Sequence, residues 1–152
     1  CGCFWGAQYQ FEHAKGVVRS TVGYIGGHKE HPAYEEVKAH TTGHAEATLV
    51  EFDAEQTSFT ELCKLFFEIH DPAQTDGQGP DIGPQYRSEI FYLNDKQKEE
   101  AEAVIALLRR KGYEVNTKLT PATTFWEGEE YHQYYYDKTG GEPYCHIRVK
   151  KF

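Results

Sequence analysis

Residues 87–119, RSEIFYLNDKQKEEAEAVIALLRRKGYEVNTKL, decide the fold class. Ile90, Phe91 and Tyr92 give Arg87 to Leu93 the aromatic and β-branched character of a strand. From Lys96 to Lys111 the apolar residues Ala101, Val104, Ile105 and Leu108 fall on one face of a helix, and Gly112 stops it. Glu114 to Leu119 reads as a further strand. Strand, helix and strand in close succession predict a mixed α/β chain.

Working outward, Ser58 and Glu61 have the form of a capping box, and Phe59, Leu62, Cys63, Phe66 and Ile69 then follow helical spacing. Val17 to Tyr24 and Glu46 to Phe52 read as strands. Between Phe4 and Lys15 the residues Phe4, Ala7, Phe11 and Ala14 form one buried helical stripe that Gly16 ends. The predicted order is therefore helix, strand, strand, helix, strand, helix, strand. If a strand precedes Cys1, the first six elements run β-α-β-β-α-β, a ferredoxin-like two-layer sandwich of the α+β kind. That first strand would lie upstream of, or be truncated at, Cys1, and the C-terminal tail is irregular. Ile25 to Ala45 and Asp71 to Tyr86 fit no element and are expected to be long functional loops.

A length of 152 residues, with no internal repeat or linker-like tract, is read as a single domain over residues 1–152. No apolar run approaches the roughly 20 residues that cross a bilayer. Sixteen Lys and Arg against 24 Asp and Glu leave a net charge of -8, the wrong sign for a nucleic-acid partner. A cytoplasmic protein is expected. The sequence contains no methionine, so it represents a processed chain or a trimmed domain, and an exported or fused form stays open.

Cysteines at positions 1, 3, 63 and 145 are too few for a disulfide scaffold and lack paired zinc-ribbon spacing. Cys3 stands just before, or at, the first helical residue, where the helix dipole and unsatisfied backbone N–H groups favour thiolate. Gly2 and Gly6 on either side leave room for something to approach the sulfur. Cys63 falls on an apolar helical stripe and belongs to the core, and Cys1 is read as structural or incidental. Cys145 follows a Gly-rich stretch that could swing a second thiol onto Cys3, the arrangement of a resolving cysteine.

Glu46 lies where the first long loop meets a strand, and partial burial there would raise its pKa and let it donate a proton; an ordinary surface glutamate is the alternative. His44 with Glu46 hints at a metal, but a third ligand at suitable spacing is missing, so no metal and no cofactor is called for. Tyr34 and Tyr86 sit in the two long loops and offer neutral hydroxyl donors to a polarised oxygen. Tyr134, Tyr135 and Tyr136 form a run without assignable roles.

Gly2-Cys3-Phe4-Trp5-Gly6 resembles the GCFWG motif of the peptide methionine sulfoxide reductase A family. The resemblance continues through Gly23 to Gly27, Pro32 to Tyr34, Thr42 to Ala47, Phe66-Phe67, His70 to Pro72, Gln78 to Asp81, Gln85 to Ser88 and Tyr131 to Gln133, in the family's order. It implies an enzyme that reduces methionine S-sulfoxide, free or in oxidised proteins, as repair of oxidative damage. By the same resemblance Cys3 is the nucleophile, Glu46 the acid, Tyr34 and Tyr86 donors to the sulfoxide oxygen, and Asp81 a supporting polar residue. Phe4 and Trp5 would form the pocket for the substrate methyl group. Cys145 would condense with a Cys3 sulfenic acid into a disulfide that thioredoxin reduces. Gln8 stands where many members carry a glutamate, and the tail has no second cysteine after Cys145. Two rival readings remain at this stage, a noncatalytic acidic module that binds a peptide or metal, and a cysteine-dependent hydrolase.

Overall fold

The computed structural model describes residues 1–143 and 146–152. Helix α1 spans Phe4–Glu12 and strand β1 spans Val17–Ile25, joined by a turn through Gly16, whose φ of 83° is open to glycine at little cost. Helix α1 thus ends three residues before the predicted Lys15, because the chain must reverse there to enter β1. Strand β2, Ala45–Phe52, pairs antiparallel with β1, with Tyr24 opposite Glu46 and Ile25 opposite Ala45. Ser58 caps helix α3, Phe59–Glu68, by accepting the Glu61 N–H at 3.1 Å, as expected.

The expected pair of strands around the longest helix is present, with shifted bounds. Strand β5, Glu89–Tyr92, and strand β6, Lys118–Pro121, are parallel and joined through helix α4, Asp95–Arg110. Asn94 caps α4 by accepting the Gln97 N–H at 2.9 Å. Residues 114–117, predicted as strand, carry no ladder: the Arg109 guanidinium donates to the Val115 carbonyl, and Asn116 N–H donates to the Pro72 carbonyl. Side-chain and loop partners have taken the bonds that a strand would need.

Both long loops are more ordered than their sequences imply. The first contains helix α2, Tyr34–Lys38; the second contains a hairpin of β3, Gly77–Gln78, and β4, Asp81–Ile82, followed by a 3-10 turn at Pro84–Tyr86. After β6 come strand β7, Trp126–Glu127, which adds to the other edge of β1, and helix α5, Tyr135–Thr139. These pieces are too short to show a periodicity, so the sequence could not reveal them.

The mixed α/β character holds, but the strands form small sheets: β2-β1-β7 in one, β3-β4 in another, and β5-β6 in a third. A cavity of about 230 Å³ is lined by Ala45 to Val50 on one side and Glu89 to Phe91 on the other. Helix α1 lies on β1 and β2, and α3 packs on α4. Phe66, Phe67, Ile69, Val104 and Leu108 build one core, which includes the buried Cys63, and Phe4, Val22, Tyr24 and Val37 build a second under the start of α1. Among the described residues, no helix is long and apolar enough to cross a membrane.

Candidate active site

Cys3 is the N-cap of α1, half-buried, with its carbonyl accepting the Ala7 N–H at 3.3 Å. Its sulfur therefore stands at the positive end of the helix, as the sequence predicted. The next residue links Cys3 to a buried acid. Phe4 N–H, one of the helix's unsatisfied donors, donates to Glu46 Oε1 at 3.1 Å. Glu46 is carried there by the first residues of β2 and is 4% exposed, not a surface glutamate. Burial pushes its carboxyl up to about 8, opposed by the Phe4 N–H bond and reinforced by the charge of Asp81. At neutral pH this acid holds its proton.

The two loop tyrosines converge on the same place. Tyr34 is the first residue of α2, and Tyr86 ends the 3-10 turn, where its carbonyl accepts the Gly2 N–H at 3.1 Å. Burial raises the Tyr34 hydroxyl to about 12, with the charges of Glu46 and Cys3 adding to it. Tyr86 is raised further, by burial and then by Glu46, Tyr34 and Cys3. Both phenols feel the acid and the thiol, and both stay protonated donors. Asp81, half-buried on β4, faces the same group through its influence on Glu46 and Tyr86.

Phe4 is 1% exposed and packs near the Tyr24, Tyr34 and His132 rings, at 5.7, 6.5 and 5.1 Å between centroids. Trp5 is half-buried and flat against Tyr135, with ring centroids 3.7 Å apart and planes 8° from parallel. Its indole N–H donates to His132 Nδ1 at 2.9 Å. His132 is fully buried, and burial holds its pKa below the usual value, so the ring is neutral with its proton on Nε2.

His132, Tyr135 and Glu129 are residues that the sequence reading did not place in the site. Glu129 accepts from the Tyr24 hydroxyl at 2.8 Å and from Tyr34 N–H at 3.0 Å, which fixes the start of α2 and with it the Tyr34 ring. Burial alone would raise Glu129, yet these donors keep it below the ordinary carboxylate value. The motif Tyr131-His132-Gln133 was the available signal. The tyrosine run also resolves: Tyr135 backs Trp5, Tyr136 is buried edge-on to Tyr9, and Tyr134 takes a left-handed backbone that aims its N–H at Gln8 Oε1, 2.7 Å away. Gln8 in turn donates to the Ser20 carbonyl at 3.0 Å, a donor-plus-acceptor role that suits an amide.

One expectation needs correction. Gly2 and Gly6 do not leave open approaches to the sulfur. A Cβ at Gly6 would overlap His146 Nδ1, and one at Gly2 would lie 2.9 Å from Gln78 Cβ, so protein side chains occupy that room. His44 is spent on backbone: Gly27 N–H donates to its Nδ1 at 3.0 Å, and its Nε2 donates to the Lys29 carbonyl at 2.7 Å. It is no metal partner for Glu46. Among the described residues the ligand-capable atoms that do cluster belong to Glu12, His13 and Asp137, at the end of α1 and on α5. Cys63 is a core residue, as read, with its thiol pushed up to about 12 by burial. Cys145, the expected resolving thiol, lies outside the described residues.

Comparison with known proteins came out consistent across sequence and structure. The sequence model of the family described as peptide methionine sulfoxide reductase matches residues 1–152. A relative in Acinetobacter baumannii (strain AYE), peptide methionine sulfoxide reductase MsrA, is 44% identical over 148 residues, covering 97% of this chain and 86% of that one. The crystal structure of reduced Mxr1 from Saccharomyces cerevisiae superposes with a TM-score of 0.91 at 34% identity, covering 97% of this chain and 88% of that one. Mxr1 in complex with Trx2 shares the fold at a TM-score of 0.63 and 23% identity, covering 99% and 85% of the two chains.

Proposed function

Because the chain belongs to the peptide methionine sulfoxide reductase family, we propose that residues 1–152 act as one catalytic unit that reduces methionine S-sulfoxide, free or in oxidised proteins, with thioredoxin as the final reductant. One observation carries the assignment of roles. The N–H of the residue after Cys3 donates to Glu46, a buried acid that is protonated at neutral pH. Nucleophile and proton donor therefore share one helix terminus.

Cys3 attacks the sulfoxide sulfur while Glu46 gives its proton to the oxygen, and Tyr34 and Tyr86 donate hydrogen bonds to that oxygen as charge builds on it. The substrate S–O bond breaks, an S–O bond forms at Cys3, and two electrons pass to the substrate sulfur, which leaves as methionine. Phe4 and Trp5 take the methyl group, Trp5 held by His132 and Tyr135. Asp81 supports the polar side of the site. Cys145 then attacks the Cys3 sulfenic acid, releasing water and closing a disulfide for thioredoxin to open. Nothing in this sequence of steps requires a metal or an organic cofactor. The scarcity of paired cysteines and the thiol cycle suit the reducing cytoplasm.

The test counts thiols. Adding methionine S-sulfoxide to the reduced protein without thioredoxin should release one methionine and consume the Cys3 and Cys145 thiols together, with peptide mapping locating the link. In a folded Cys3→Ser protein, release should stop, because a hydroxyl is a far weaker nucleophile. Continued release from that variant refutes the assignment.

A further inference from the structure

Arg87 follows Tyr86 and places its guanidinium where three chain segments meet. Its Nη1 donates to the Pro84 carbonyl at 2.9 Å, its Nη2 to the Gly43 carbonyl at 3.1 Å, and its Nε to Glu89 Oε1 at 2.6 Å. Pro84 opens the 3-10 turn that ends in Tyr86, Gly43 stands three residues before Glu46, and Glu89 begins β5. One planar group therefore joins the turn that carries a phenol of the site, the entry to the strand that carries its acid, and the parallel pair β5-β6.

The base of this clamp is firm. The Glu89 side chain is 7% exposed, and its second oxygen accepts from the Thr120 hydroxyl on β6. A carboxylate so buried needs a cation beside it, and Arg87 supplies one. Room for the fork comes from Gly26, where a Cβ would lie 3.2 Å from Arg87 Nη2 and 2.8 Å from the Phe91 ring. Glu46 has other ties, the Phe4 N–H bond and its place opposite Tyr24 in the β1-β2 ladder. Tyr86 instead sits on a three-residue turn, whose backbone bonds run from Tyr86 N–H to the Gly83 carbonyl and from Arg87 N–H to the Pro84 carbonyl, at 3.1 and 3.3 Å. The clamp therefore bears chiefly on Tyr86.

We propose that Arg87 is a positioning residue for the sulfoxide step: its planar fork holds the turn of Tyr86 against the strand entry of Glu46, and so aims the Tyr86 hydroxyl and the Glu46 carboxyl at one substrate oxygen. This rests on the reading of Tyr86 and Glu46 as donors to that oxygen. The two groups feel each other, since the Glu46 charge is, after burial, the largest influence that raises the Tyr86 hydroxyl. Placement matters because a donor must point to where charge builds, and an error of about 1 Å can cost about 10²-fold in rate. A lysine cannot replace the fork. Its ammonium offers its donors from a single point, whereas the guanidinium reaches carbonyls on two segments and a carboxylate on a third.

The experiment uses the whole chain as Arg87→Lys, as Tyr86→Phe and as the double variant. Arg87→Lys is chosen over Arg87→Ala because it keeps a cation for Glu89 and strands no buried carboxylate. Circular dichroism checks the fold, and Arg87→Lys should keep the wild-type pH dependence of Cys3 alkylation by iodoacetamide, since the helix start is untouched. Methionine release is followed over a single turnover at saturating methionine S-sulfoxide, without reductant. Arg87→Lys should slow it about tenfold and Tyr86→Phe about 10²-fold. In the double variant the lysine should add less than about twofold, because no hydroxyl is left to place. Full multiplication of the two effects, or a changed Cys3 alkylation profile, overturns the proposal and marks a general loosening of the site. Release at the wild-type rate in either single variant overturns it too. If wild type itself releases no methionine, the functional reading has failed and takes this proposal with it.

Discussion

Replacing Glu46 with Gln separates the proton proposed to serve catalysis from the shape that holds it. The amide keeps an oxygen for the Phe4 N–H but can neither ionise nor donate as an acid. In the folded protein burial moves the Glu46 carboxyl from an ordinary 4.5 to about 8, so folding takes up a proton between those two values. A group whose folded pKa is raised contributes fully below the unfolded value and loses that contribution as pH rises through the folded one. At ~1.4 kcal/mol per pH unit, wild type should lose about 3 kcal/mol of stability between pH 4.5 and 7, and about 5 by the time Glu46 is ionised in both states. The substituted amide is a neutral isostere without that loss, so Glu46→Gln should match wild type near pH 4.5 and exceed it at pH 7 and above. Urea unfolding of both proteins at a series of pH values reads the difference directly. Activity should move the opposite way: the sulfoxide-reduction step slows by about 10² to 10⁴, and the fall in rate expected of wild type as Glu46 ionises above pH 8 should be missing. Parallel stability curves across pH would refute a protonated Glu46 at neutral pH, and with it the acid role.

Three further outcomes follow from the same geometry. Cys145→Ser should release one methionine per protein and then stall with thioredoxin, while a small dithiol restores turnover; steady thioredoxin-driven turnover, followed by a coupled assay, would move the resolving role to another cysteine. Racemic methionine sulfoxide should be consumed to half, leaving one epimer by chromatography, because exchanging methyl and oxygen sets a polar atom against Phe4 and Trp5 and a methyl against the tyrosine donors; equal loss of both epimers contradicts that pocket. Gln8→Leu should cost about 2–4 kcal/mol of stability by denaturant unfolding, since it strands the Tyr134 N–H and the Ser20 carbonyl in a buried place.

Local order was legible wherever the chain repeats a pattern. The apolar stripes of α1, α3 and α4, the Ser58 cap and the β1-β2 pair follow from spacing and side-chain type, because those elements are long enough to bury a face of their own. Cys3 at a helix start was legible for the same reason, and the family motifs singled out Glu46, Tyr34, Tyr86, Asp81, Phe4 and Trp5. Helix α2, the β3-β4 hairpin and the unladdered segment 114–117 were not, since their backbone partners come from distant side chains and turns. Nor could spacing show that Glu129 fixes Tyr34, that His132 and Tyr135 hold the Trp5 indole, or that Gly6 is a seat for His146. Each of these joins residues at least 95 positions apart, and contact across such separations is decided by how helices and sheets stack. The sequence by itself determined which groups the reaction has available; the tertiary structure decided the burial that keeps a proton on Glu46 and the packing that aims the other groups at it, because desolvation and contact are properties of what surrounds a residue.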